Sequence, residues 1–178
     1  DGTNVFELII VRLPGGIGTA YLFDDVEVGS EIPLRGPQGV FVLPDKIEKD
    51  LFFICTGTGI APFRSMVEHI HRANIPHRNI YLVFGCRYRH DFLYYDELKS
   101  LEGKLDSFHY LTTCSRETGE NQDIRKGYVH AVYEEILENR RPDASFYLCG
   151  WKNMVDEAKE RIIALGYEKK DIHLELYG

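Results

Sequence analysis

The 178-residue sequence is short of the features that would place it at once. It has four cysteines, Cys55, Cys86, Cys114 and Cys149, separated by 31, 28 and 35 positions. Those intervals match no zinc-ligand or iron–sulfur pattern. At least three of the four are expected to be reduced thiols, buried as small hydrophobes in a cytoplasmic protein. No apolar run approaches the ~18–20 residues that a membrane-spanning helix needs, so no membrane insertion is expected. Cations are the minority: 21 Lys and Arg stand against 28 Asp and Glu, a formal net charge of −7. That balance argues against a general nucleic-acid binder. His69 and His71 stand at i and i+2 of one predicted helix and do not face each other. His77, His90, His109, His130 and His173 are scattered, so no metal site is expected.

What is present falls into two parts. Residues 1–46 carry short β-rich runs, Val5 to Arg12, Ile32 to Arg35 and Gly39 to Leu43, parted by Gly and Pro clusters. A helical turn is predicted at Thr19 to Asp25. The pattern is that of part of an antiparallel β-barrel, too small to hold a core alone. The chain starts at Asp1 with a strand already under way at Val5, so an upstream segment is expected. Residues 47–178 alternate. Strands are predicted at 51–55, 79–84, 107–113, 145–149 and 172–176, and helices at 61–73, 92–101, 130–139 and 151–165. This β-α alternation predicts an α/β, doubly wound nucleotide-binding domain, a five-stranded parallel sheet with helices on both faces.

The first strand of that domain runs into Thr56-Gly57-Thr58-Gly59-Ile60-Ala61-Pro62. Glycines between a strand and a helix let the chain turn sharply and bring backbone N–H groups onto an anion, where the helix N-terminus adds positive potential. The third glycine of a dinucleotide fingerprint is missing. Pro62 takes its place and suits the first turn of a helix, where an absent N–H costs nothing. Alone, the glycine pair fits a plain strand-to-helix turn equally well.

In open parallel sheets ligands lie outside the carboxyl ends of the strands. Those ends carry Thr56-Gly57, then Gly85-Cys86-Arg87-Tyr88-Arg89, Thr113-Cys114-Ser115-Arg116, Cys149-Gly150-Trp151 and Glu175-Leu176-Tyr177. No acid follows the second strand directly, where an NAD fold places a ribose-binding Asp or Glu. Arg87 and Arg89 stand there instead, with Ser115, Arg116, Lys126 and Tyr128 beyond. Cations and a hydroxyl suit a 2′-phosphate, and an aromatic ring can stack on adenine. Arg89 fits a solvated face as well.

Taken in order, these motifs resemble those of the ferredoxin–NADP reductase family of flavin oxidoreductases. They are Gly36-Pro37-Gln38-Gly39-Val40-Phe41, Thr56 to Pro62, Gly85-Cys86-Arg87 with Phe92-Leu93-Tyr94, Ser115-Arg116-Glu117, Tyr128-Val129, Cys149-Gly150-Trp151-Lys152-Asn153-Met154 and Glu175-Leu176-Tyr177. The resemblance implies an FAD-binding barrel, then a domain binding NADP (alternatively NAD), with hydride passing between nicotinamide and flavin. It implies electron exchange with a redox protein such as a ferredoxin, a flavodoxin or an oxygenase. Thr56, Gly57, Thr58, Gly59, Ala61 and Pro62 would hold the pyrophosphate of the nicotinamide nucleotide. Ser115, Arg116, Lys126 and Tyr128 would take the 2′-phosphate and adenine, and Gly16, Gly18, Thr19 and Ala20 the FAD pyrophosphate. Arg87, Gly150, Trp151 and Met154 would be further cofactor contacts. Cys149 and Glu175 would flank the nicotinamide as catalytic positioning groups, and Tyr177 would stack on the flavin ring. Three departures accompany the match. The family's flavin-gripping Arg-x-Tyr-Ser/Thr is absent, Gly178 follows Tyr177, and there is no iron–sulfur cysteine set. An NADH-preferring reductase and a non-catalytic nucleotide-binding module are the alternatives.

Overall fold

The computed structural model describes residues 5–36, 38–117 and 125–177, the last without the side chain of Tyr177. The chain divides into two compact units, Gly2–Val42 and Leu43–Gly178.

In the first unit a four-residue helix α1 (Ile17–Ala20) continues as a π-helical turn over Tyr21–Asp25. The predicted helical turn is therefore present. The three predicted β runs are not strands: the described residues of this unit contain no ladder. A strand needs a neighbouring strand to take its N–H and C=O groups, and no strand pairing with these segments occurs among the described residues. Their apolar side chains stay open to solvent, with Val5 at 77% and Val40 at 94% of full exposure.

The second unit is a six-stranded parallel sheet in the order β4-β3-β2-β1-β5-β6. The strands are β1 (Asp50–Thr56), β2 (Ile80–Cys86), β3 (Phe108–Cys114), β4 (Arg125–Lys126), β5 (Ala144–Trp151) and β6 (Ile172–Tyr177). The helices are α2 (Ile60–Arg72), α3 (Tyr95–Glu102), α4 (Val129–Arg140) and α5 (Lys152–Ala164). Strands such as Leu51-Phe52-Phe53-Ile54-Cys55 are apolar at every position because both faces are covered. Phe52, Ile54, Tyr81, Phe146 and Leu148 pack with Val129, Val132 and Tyr133 of α4 and Val155, Ala158 and Ile162 of α5. The alternate residue Phe53 points the other way and stacks on Phe63 of α2, ring centroids 4.9 Å apart.

Two differences from the predicted elements have physical causes. The sheet has six strands rather than five, because the two residues of β4 pair with Thr113 and Cys114. And α3 starts at Tyr95, not Phe92. Tyr94 is left-handed (φ +56°), which no helix interior accepts. Its ring lies 4.1 Å beneath the Arg64 guanidinium. Arg64 also bonds both carboxylate oxygens of Glu97, at 2.7 and 3.0 Å, tying α2 to the start of α3.

Candidate functional site

All six strands are parallel, so their carboxyl ends share one edge. Chain order runs outward from β1 to β4, then returns to the other side of β1 with β5 and β6. The β1/β5 boundary is thus the topological switch point, where ligand crevices form. Two helix N-termini start there: α2 with Gly59 as its N-cap and α5 with Trp151. Neither N-cap makes a side-chain capping bond, which suits an anionic ligand at the helix start.

Thr56 ends β1, and Gly57–Gly59 form a 3₁₀ turn that feeds α2. Gly57 has φ +55° and nothing within 4 Å of where a Cβ would stand, so its backbone can be approached closely. Gly59 is required for packing: a Cβ there would lie 2.3 Å from the Cys149 carbonyl oxygen. Ala61 and Pro62 occupy the first turn of α2. Across the switch point, Gly150 has φ +145°, and a Cβ on it would meet Thr56 Oγ1 at 2.5 Å and Met154 Cε at 3.1 Å. The Trp151 amide donates to Thr56 Oγ1 at 3.4 Å. Its indole is 70% exposed while Met154 is buried. Thr56, Gly57, Thr58, Gly59, Ala61, Pro62, Gly150, Trp151 and Met154 are therefore gathered around one crevice.

The cationic end is assembled by backbone bonds between the loops after β2 and β3. Ser115 N and Oγ donate to Cys86 O at 3.0 and 3.3 Å, and Arg116 N donates to Arg87 O at 2.9 Å. Gly127 N donates to Cys114 O at 3.0 Å, which brings Lys126 and Tyr128 alongside. Arg87, Arg116 and Lys126 are exposed, and among the described residues no carboxylate pairs with any of them. Tyr128 presents a ring that is 73% exposed. By contrast Arg125, beside Lys126, pairs with Glu135. Unpaired cations at one edge of an acidic chain make a seat for a phosphate.

Gly85 and Thr113, which the sequence placed at strand ends without giving them a role, also shape this edge. A Cβ on Gly85 would collide with Val129 Cγ1 at 2.7 Å, so this glycine lets the start of α4, and with it Tyr128, approach the sheet. Gly85 pairs in register with Thr56 and Thr113. The Thr113 hydroxyl is buried and has no hydrogen-bond partner among the described residues. Gly85, next to the end of β2, and the Thr112-Thr113-Cys114 run were the available signals.

The reaction-centre candidates are distributed differently. Cys149 pairs in register with Cys55 on one side and Glu175 on the other. The Cys149 side chain is fully buried, whereas Glu175 is exposed. Tyr177 pairs by its backbone with Trp151, while its side chain, Gly178 and Pro37 lie outside the described residues. In the first unit Gly16 is the N-cap of α1. The Thr19 hydroxyl accepts from Leu13 N at 3.1 Å and donates to Leu13 O and Gly16 O. Ala20 N donates to Gly16 O at 2.9 Å. Gly18 has open space where a Cβ would stand, so its backbone can be approached by a ligand phosphate. Among the described residues no cluster of three His, Cys, Asp or Glu could hold a metal ion, and no helix is long and apolar enough to cross a membrane.

Residues 53–160, which contain the whole β1/β5 crevice, match the family model of the oxidoreductase NAD-binding domain. The chain belongs to the ferredoxin–NADP reductase-like family of oxidoreductases. It is 33% identical to ferredoxin–NADP reductase B of Sorangium cellulosum, over 99% of this chain and 74% of that protein. It is 30% identical to the toluate 1,2-dioxygenase electron transfer component of Pseudomonas putida, over 100% of this chain and 51% of that protein. Among solved structures, a cytochrome P450 reductase from Amycolatopsis superposes with a TM-score of 0.76 at 25% identity, covering 94% of this chain and 50% of that one. The chain thus spans about three quarters of the first relative and about half of the other two.

Proposed function

We propose that this chain carries the pyridine-nucleotide half of an FAD-dependent oxidoreductase that takes a hydride from NADPH and passes electrons to a redox protein, in the cytoplasm. The observation that carries the proposal is the meeting, at one sheet edge, of the glycine crevice at β1/β5 with Arg87, Arg116 and Lys126, cations that no carboxylate pairs among the described residues. A dinucleotide with a 2′-phosphate needs both ends of such an edge: backbone amides for its pyrophosphate and cations for its third phosphate.

The turn Gly57–Gly59 and the starts of α2 and α5 hold the pyrophosphate. Ser115, Arg116 and Lys126 hold the 2′-phosphate, Arg87 supports them, and Tyr128 stacks on adenine. Trp151 and Met154 bound the nicotinamide side of the crevice. Cys149 and Glu175, neighbours across β5 and β6, position the nicotinamide; the Cys149 thiol acts by shape and polarity rather than as a nucleophile. Gly16, Gly18, Thr19 and Ala20 offer a phosphate seat for FAD, and Tyr177 a ring for its isoalloxazine. Bound flavin supplies the hydride-accepting chemistry. A ferredoxin, a flavodoxin or an oxygenase receives the electrons.

The test is anaerobic titration of the chain, supplied with FAD, by NADPH and NADH in parallel, following the visible flavin absorbance. Bleaching by NADPH at lower concentration than by NADH is the expected result. Preferential bleaching by NADH would assign the NADH-linked alternative. Nucleotide binding with no bleaching would assign the non-catalytic module, and no binding of either nucleotide would end the proposal.

A further inference from the structure

Cys86 and Cys114 end β2 and β3 as register partners. Their sulfurs lie 3.6 Å apart. Neighbouring strands hold paired Cα atoms about 5 Å apart, within the span that a disulfide bridges. Cys86 is only half-buried, so a small reagent can reach it, while Cys114 is buried behind it. Cys55 and Cys149 are also register partners, but both are fully buried and lie deeper in the sheet. The Cys86 thiol donates to Tyr88 O at 2.9 Å. Tyr88 N is held by Asp91 at 3.0 Å, and Cys86 O receives both donors of Ser115. The thiol pair therefore underlies the turn that presses Arg87 against Arg116.

We propose that Cys86 and Cys114 form a reversible disulfide on exposure to hydrogen peroxide, and that the bond weakens binding of a 2′-phosphorylated nucleotide at the strand edge beside it. The second half rests on the nucleotide function proposed above. In the first step the Cys86 sulfur attacks one peroxide oxygen, giving a sulfenic acid and water. The Cys114 sulfur then attacks the Cys86 sulfur and expels the oxygen as a second water. In sum, two thiols and one peroxide give one disulfide and two waters: each sulfur loses one electron and the peroxide gains two. Burial pushes both thiols above the usual cysteine range, so the step is slow at neutral pH. Once oxidised, Cys86 has no proton for Tyr88 O, and the turn carrying Arg87 loses that restraint.

Peroxide treatment of the full chain, followed by denaturation and thiol counting, should lower the free thiols from four to two. A non-reducing digest should contain one peptide pair joined through Cys86 and Cys114, and dithiothreitol should restore all four thiols. C86S should keep its three thiols under the same treatment, whereas C114S, lacking the resolving sulfur, should lose the Cys86 thiol to a dimedone-reactive sulfenic acid and give no joined peptide pair. Calorimetric titration with NADP should show binding to the oxidised chain weakened by about fivefold or more, a common size for coupling between sites. C86S should show no such change. Four surviving thiols, linkage through Cys55 or Cys149, or equal thiol loss in C86S would overturn the disulfide. A disulfide with unchanged NADP affinity would overturn the coupling. Failure of the reduced chain to bind NADP would overturn the nucleotide function and the coupling with it, while the thiol count still decides the bond.

Discussion

Replacing Gly59 with alanine should separate the nucleotide turn from the strand it packs on. The added Cβ would stand 2.3 Å from the Cys149 carbonyl oxygen and 2.7 Å from its carbonyl carbon. Ordinary contact begins near 3.4 Å, so turn and strand must part by about 1 Å. Both colliding atoms are backbone of β5, the neighbour of the central strand β1, and no side-chain rotation relieves them. Overpacking of this kind costs about 1–3 kcal/mol, and a backbone collision belongs at the upper end. For a domain of this size that is a fall of about 5–10 °C in unfolding temperature by calorimetry. The same displacement moves the turn away from the place proposed for the pyrophosphate and should weaken NADP binding about tenfold or more. Gly57→Ala is the control: its φ of +55° strains a side chain, but nothing lies within 4 Å. It should cost only about 1–2 kcal/mol. A Gly59→Ala chain that melts with wild type and binds NADP equally well would refute the packing argument.

Other expectations follow from the cationic end, from buried His130 and from half-buried His173. Arg116→Ala should raise the Kd for NADPH by about tenfold, the worth of one charge-assisted bond, and that for NADH by less than about twofold; equal losses measured by titration would remove Arg116 from the 2′-phosphate site. Arg64→Ala should cost about 1–2 kcal/mol in denaturant unfolding by releasing Glu97 and the left-handed Tyr94, and a variant as stable as wild type would contradict that clamp. Burial lowers the pKa of His130 against the opposing pull of Glu157, and that of His173 against Asp171. Both are thus held neutral in the folded chain, and the stability they contribute is full above the unfolded value near 6.5 and is lost as pH falls below it. The unfolding temperature should drop between about pH 7 and about pH 5, and the drop should shrink in the His130→Gln, His173→Gln double variant.

Much of the second unit was legible because its strands are buried on both faces. A run such as Leu51 to Cys55 has one structural use in an alternating chain, and α5 announces itself through Met154, Val155, Ala158 and Ile162 at helical spacing. The crevice was legible because strand-final glycines are visible in sequence. What escaped was set by tertiary contact. β4 is two residues long and exists only because β3 pairs with it. The late start of α3 depends on Arg64, which lies 30 positions away in sequence from Tyr94. The role of Gly85 depends on Val129 from another element. The β runs of the first unit failed in the opposite way: alternation of apolar and polar residues is a local signal, and a strand also needs a neighbour to pair with.

The central claim, that a nicotinamide dinucleotide phosphate binds at the β1/β5 boundary, is tested most directly by the fluorescence of Trp151. It is the only tryptophan of the chain, is 70% exposed and stands at the start of α5 on the rim of the crevice. Titration with NADP should change its emission saturably, and the change should be weakened in Gly59→Ala. Saturable NADP binding by calorimetry that leaves the Trp151 emission unmoved would place the nucleotide elsewhere and contradict the account.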